Sequence, residues 1–298
     1  MKYTKPALTF AGQANLLASR GLLISNMQHA ENFLAHVNYY RLAGYILPFE
    51  SDHSSHQITP GTRFEDVTNL YLFDRALRLL VMDAVEKIEV SVRTQWAYHF
   101  AHSVNPHAYL DPIYAQSHKR LARQLTFLAS HIDESTEAFV AHHRSKYDES
   151  DFPPIWVACE LLSLGQLSNW YALMKPAMRK KMARTYRLDQ QVLESLLRHL
   201  SHVRNLCAHH ARLWNRIFVT KSSLPKKGVP NLLSAMGDHS DRFYKTACLI
   251  VHLLRCIDLE DDWGVRLHAL IDQYQPMIAA MGFPFDWRSR KLWATVKS

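Results

Sequence analysis

Residues 64–102 limit the possible folds more than any other stretch. They contain no glycine and no proline. Leu70, Phe73, Leu77, Leu80, Met82, Val85 and Ile88 recur at helical spacing and trace a broad apolar face. A rod of that length cannot be a strand, and it needs other helices to cover its apolar side. Helical spacing predicts those partners over 8–23, 25–37, 113–131, 135–146, 155–164, 167–174, 175–187, 193–214, 234–256 and 262–274. Thr9 is suited to cap the first of these and Gly21 to end it. No stretch alternates apolar and polar residues between turn signals as a strand would, and 52–61 reads as a polar loop. The expected fold class is all-α, a helical bundle with additional N- and C-terminal helices. Three segments are expected: 1–60 packed on the core, a core over 61–220, and an extension over 221–298.

Composition narrows the class of partner. Hydrophobic residues make up 48% and charged residues 21% of the chain, which is a globular balance. The formal net charge is +8 with 18 histidines, which suits a phosphate-rich partner. No apolar run reaches membrane-spanning length, and the N-terminus lacks the apolar core of a signal peptide. Cys159, Cys207, Cys248 and Cys256 form no C-x-x-C pair and read as reduced thiols, so a cytoplasmic protein is expected. No cofactor is expected. A metal site built on Cys207 with His209 or His210 needs more ligands than one helix offers.

The helix expected over 193–214 carries two stripes. One, Leu196, Leu200, Val203, Cys207, His210 and Trp214, is mostly apolar. The other, Arg198, His202, Asn205, His209, Arg212 and Arg216, can donate a hydrogen bond at every position. Arg204 sits beside it. A helix that buries one face and presents Arg, Asn and His on the other suits a polyanion. Three further stretches have two readings each. Asn38 to Tyr45 is either a core corner, the preferred reading, or a stacking and phosphate surface of Tyr39, Tyr40 and Arg41. Residues 175–187 are strongly basic, either an RNA-facing patch or a soluble face. On 64–102, the charges opposite the apolar face are mostly i,i+3 and i,i+4 surface pairs, although Arg78, Glu86, Glu89 and Arg93 are also candidates to line a cleft facing the basic helix.

Arg204, Asn205 and His209 together hold the parts needed to cut RNA without a metal. Imidazole exchanges protons near neutrality, guanidinium grips a phosphate and steadies added negative charge, and the amide orients either. Arg198, His202, His210, Arg212, Arg78 and Arg93 are the candidate RNA-binding residues around them. One copy offers one His209, so base and acid together call for two copies. The alternative is an RNA-binding module that does not cleave.

Arg204-Asn205-x-x-x-His209 resembles the R-N-x-x-x-H signature of HEPN-superfamily ribonucleases. The wider chain resembles the Abi family, the AbiD/AbiF-like abortive-infection proteins of bacteria. The resemblance runs from Lys5-Pro6 and Leu8-Thr9-Phe10 through Tyr39-Tyr40-Arg41-Leu42-x-Gly44-Tyr45, Leu70-Tyr71-x-Phe73-Asp74-Arg75-x-Leu77-Arg78 and Glu86-x-x-Glu89 with Arg93. It continues in Pro153-Pro154-Ile155-Trp156, Leu162-Ser163-x-Gly165-x-Leu167-Ser168 and the segment from Val203 to Asn215. Leu164 departs from the aromatic residue usual before that glycine. The resemblance implies a HEPN-like bundle, RNA cleavage by a paired Arg/His site with Arg204 and His209 catalytic and Asn205 supporting, and a toxin role in phage defence. It also implies a controlling partner, an antitoxin or a small regulatory RNA.

Overall fold

A computed structural model of the chain describes residues 6–147, 152–236, 241–258 and 260–294. Lys5, most of the loop expected over 148–154 and part of the helix expected over 234–256 lie outside the described residues. The chain forms two compact units, Met1–Leu77 with Leu270–Pro276, and Arg78–Ala269 with Met277–Ser298. The division therefore falls inside the long helix rather than near residue 60. Most of the C-terminal third belongs to the second unit.

In the first unit, α1 (Phe10–Ser19) starts where the Thr9 hydroxyl accepts the Gly12 N–H at 3.0 Å. Helix α2 (Met27–His36) starts where Asn26 accepts the His29 N–H at 2.9 Å. The two helices pack on each other and bury Ala14, Leu17, Ala30 and Leu34. Helix α3 (Tyr39–Ile46) turns Leu42, Tyr45 and Ile46 inward, and the Tyr45 hydroxyl donates to Asp74 Oδ2 at 2.6 Å. Its first residues behave differently, since Tyr40 is 75% exposed. The expected loop holds a short antiparallel ladder, β1 (Glu50–Asp52) with β2 (Gln57–Ile58). Strands this short leave no alternation to read. Helix α4 (Phe64–Ser103) is the forty-residue rod, and Leu77 is its last residue in this unit.

In the second unit, α4 buries Val81, Val85, Ile88, Val92, Trp96 and Phe100. The following helices are α5 (His118–Glu134), α6 (Ala138–Lys146), α7 (Ile155–Ala158), α8 (Leu164–Leu173), α9 (Pro176–Thr185) and α10 (Gln190–Ala208). Then come α11 (Pro230–Met236), α12 (Phe243–Ile257), α13 (Trp263–Tyr274, the last residues of which belong to the first unit) and α14 (Lys291–Ala294). The fold is mostly helical, as expected. Helix α12 buries ten of its fifteen residues, so it is a core helix and not a cover. Two charges of α4 also depart from the surface-pair reading. Lys87 Nζ lies 2.7 Å from Asp261 Oδ2, and Arg266 Nη2 lies 2.5 Å from Asp83 Oδ2. They tie α4 to the start of α13, where the Trp263 indole N–H donates to the Leu80 carbonyl at 2.7 Å. In α9, Arg179 is buried in an ion pair with Glu194 of α10, so that part of the basic run faces inward. All four cysteines are free thiols, and burial pushes Cys159 and Cys248 up to about 12.

Helix α10 ends earlier than the spacing predicts, at Ala208 rather than Trp214. His209 is the cap residue, and His210 takes a left-handed backbone with φ 56°. The His210 N–H donates to Cys207 O at 3.0 Å and the Ala211 N–H to Leu206 O at 2.8 Å. These two bonds satisfy carbonyls that the helix would otherwise leave open. Glycine usually holds the left-handed position of such a cap. Histidine holds it here, so the break leaves no mark in the sequence, and the apolar Leu213 and Trp214 carry the helical rhythm past the true end.

Candidate functional site

The last turn of α10 is held in place from two sides. Val192, Leu193, Leu196, Leu197, Leu200, Val203 and Cys207 form its buried stripe. Helix α8 crosses it closely, because Gly165 has no side chain there: a Cβ on it would lie 3.0 Å from Ser201 Oγ. Ser163 caps α8, accepting the Gln166 N–H while Gln166 Oε1 accepts the Ser163 N–H at 2.8 Å. Beyond the cap, Leu213 and Trp214 are fully buried and anchor the chain. Asn215 is left-handed as well, at φ 52°, and accepts from Arg242 Nη1 at 2.6 Å. The turn His210 to Asn215 is thus fixed at both ends.

This packing leaves the expected site residues on one helix end. Asn205 and His209 are exposed, and Arg204 is half-buried. Arg204 Nη1 donates to Asn205 Oδ1 across 3.5 Å, a long bond. No carboxylate among the described residues pairs with the Arg204 guanidinium. Beside it lies a cavity of about 250 Å³ lined by Met82, Val85, Glu86, Glu89, Val90, Arg93 and Arg204. The cleft reading of 64–102 therefore holds for Glu86, Glu89 and Arg93.

Arg93 is firmly anchored in that cavity. It pairs with Glu89 at 2.5 Å and with Glu160 at 3.2 Å, and donates to the Leu162 carbonyl at 2.8 Å. These bonds tie α4 to the residues that lead into α8, and so to the helix crossing that sets α10. Glu160 and the Leu162 carbonyl had no local signal in the sequence, because they lie 67 and 69 positions from Arg93. Arg78 is a correction. It is 5% exposed and does not line the cavity, so its guanidinium is not open to RNA. Arg198 is exposed beside Glu194 at 3.9 Å, and His202 is half-buried. His210 is exposed and Arg212 half-buried, and both lie past the helix end, His210 rather than on the apolar stripe and Arg212 rather than on the polar one. Among the described residues no group of three or more His, Cys, Asp or Glu is placed to hold a metal ion, and no helix is long and apolar enough to cross a membrane.

One histidine of α10 is a core residue. His199 Nδ1 is 2.6 Å from the Thr220 carbonyl and Nε2 is 2.8 Å from the Thr246 hydroxyl. A carbonyl only accepts, so Nδ1 carries the proton and Nε2 accepts from Thr246. Burial pushes His199 down to about 4. The unfolded ring takes up a proton near pH 6.5 that the folded ring refuses. Stability present above that pH is therefore lost as pH falls toward 4, by about 3 kcal/mol in all. Urea unfolding from pH 7.5 to 4 should show that loss in the wild type, with a profile flatter by this amount in His199→Gln. Equal profiles would refute the assignment.

A family model described as Abi-like protein matches residues 32–215, well over half of the chain. No curated protein and no solved structure matches it.

Proposed function

The chain belongs to the Abi-like protein family, and from that premise we propose that it is a metal-independent endoribonuclease that cuts RNA through Arg204, Asn205 and His209. Membership of the family suggests an abortive-infection function. The finer reading is a HEPN-type toxin acting as a homodimer in phage defence. One observation supports it: a half-buried guanidinium without a carboxylate partner among the described residues lies next to an exposed amide and shares the end of α10 with an exposed imidazole.

An anion fits that arrangement. Arg204 would hold the scissile phosphate and steady the charge that builds on its oxygens, while Asn205 orients phosphate or ring. A His209 imidazole takes the proton of the ribose 2′-hydroxyl, whose oxygen attacks phosphorus. The bond from phosphorus to the 5′-oxygen breaks, and a second imidazole protonates the leaving oxygen. Base and acid would be the His209 rings of two copies. Ile217 and Val219, soon after the site, are 62% and 87% exposed, which supports an apolar contact between copies.

Purified protein incubated with total RNA in EDTA tests this. Cleavage by the wild type and none by His209→Ala supports the site. Equal cleavage by both rejects it, and binding without cleavage by both leaves an RNA-binding module.

A further inference from the structure

We propose that the cavity between α1, α2 and the start of α3 is a nucleotide-binding site, separate from the proposed cleavage site. Its volume is about 710 Å³, within the range of small-molecule pockets. Phe10 and Gln13 come from one side of α1 and Arg20 from its C-terminal cap, His36 from the end of α2, and Tyr39 and Tyr40 from the start of α3.

Three features select the ligand. The first is charge: Arg20 and His36 line the cavity, and among the described residues no acidic one does. Arg20 Nη1 donates to the Tyr39 hydroxyl at 2.6 Å, and no carboxylate among the described residues pairs with this guanidinium. A guanidinium fixed by one bond, with N–H groups to spare, suits a phosphate. The second is ring surface. Tyr39 and Tyr40 meet edge to face with centroids 6.3 Å apart, and Tyr40 and Phe10 are both exposed. A planar base covers such rings, and stacking accepts any base. The third is an unpaired acceptor. The Gln13 side chain donates through Nε2 to the Leu8 carbonyl at 3.2 Å, while its Oε1 is buried with no hydrogen-bond partner. A buried acceptor left without a donor is costly, and the exocyclic amine of adenine or cytosine is such a donor. Anion, flat ring and N–H donor together describe a nucleotide, free or at the end of an RNA strand.

The rim of the site keeps a trace of this in the sequence. Of the two readings of Asn38 to Tyr45, the core corner holds for Leu42 and Tyr45, which are buried. Tyr40 is exposed, as the stacking reading requires. Arg20 takes the role of cation there.

The test is equilibrium binding by the full chain of 5′-AMP, 5′-UMP, adenosine and a 5′-phosphorylated, 2′-O-methylated oligoadenylate that resists cleavage. Expected are saturable binding of 5′-AMP and a loss of about tenfold for adenosine or for Arg20→Ala, the size of one charge-assisted contact. Tyr40→Ala, at an exposed position, should weaken binding severalfold, and 5′-UMP, which lacks the amine, should bind more weakly than 5′-AMP. His209→Ala should bind 5′-AMP as the wild type does, so this site stands or falls apart from the cleavage site. Competition between the oligomer and 5′-AMP would identify a strand end as the natural ligand, and its absence a free nucleotide. Lack of saturable binding, equal binding of adenosine and 5′-AMP, or binding unchanged in both Arg20→Ala and Tyr40→Ala would overturn the proposal.

Discussion

Replacing His209 with alanine should remove RNA cleavage, with a loss of about a hundredfold to ten-thousandfold, the usual worth of a general acid or base. Arg204→Ala should lose about a hundredfold to a thousandfold, the range for one group that steadies transition-state charge. Arg204→Lys should stay impaired, because an ammonium cannot copy the two-pronged grip of a guanidinium on phosphate. Asn205→Ala should lose less than either. Double variants should lose little more than the worse single, since residues that act as a unit are not additive. None of these changes should unfold the protein: Asn205 and His209 are exposed and Arg204 is half-buried. Unfolding midpoints measured beside the rates separate lost chemistry from lost structure. The two-copy requirement has its own signature. When wild-type and His209→Ala chains are mixed equally and exchange, only the pairs with two intact rings cut, so activity should fall to about a quarter of the wild type and not to half. Half the activity would mean that each chain works alone.

The candidate site was legible because its residues are close in sequence. Arg204, Asn205 and His209 lie within six positions, and their exposure follows from the buried stripe opposite them, which the 3.6-residue period already marks. The end of the helix was not legible. A left-handed His210 does the work that a glycine would announce, and Leu213 and Trp214 are buried by the segment after the helix while keeping its spacing. The role of the C-terminal residues was hidden for a different reason. Asp83 and Lys87 sit four positions apart with opposite charges, which reads as a surface pair, yet each reaches a residue nearly two hundred positions away. Pair periodicity within one helix cannot distinguish those outcomes. Arg78 shows the same limit: its position suited a cleft, and burial took it out of reach. Helix α12 was visible as a helix, but its central place was not, because a helix apolar on most sides signals burial without naming its neighbours.

Cys207→Asp should cost more stability than any other single change at the helix end. Cys207 is 4% exposed and belongs to the buried stripe of α10, two residues before His209. Its neighbours on that stripe, Leu200 and Val203, are fully buried, so an aspartate there loses its water. Full burial raises a carboxyl by about three to five pH units, which costs about 4 kcal/mol at pH 7 and up to about 7 kcal/mol above the raised value. A domain holds about 5–15 kcal/mol in total, so the variant should be largely unfolded or close to it. Cys207→Ala gives the control for lost volume, and Cys207→Ser adds a buried hydroxyl at about 1–3 kcal/mol. The pH dependence isolates the charge. The folded carboxyl has the raised pKa, so its penalty is complete above that value and shrinks as pH falls below it. The difference between Cys207→Asp and Cys207→Ala should therefore narrow from pH 8 to pH 5. The acid loss through His199 is common to both chains and cancels in that difference. Equal urea midpoints at pH 8 would place Cys207 in water. The apolar stripe would then face the wrong way, and the same rotation would carry Arg204, Asn205 and His209 off the surface that RNA has to reach.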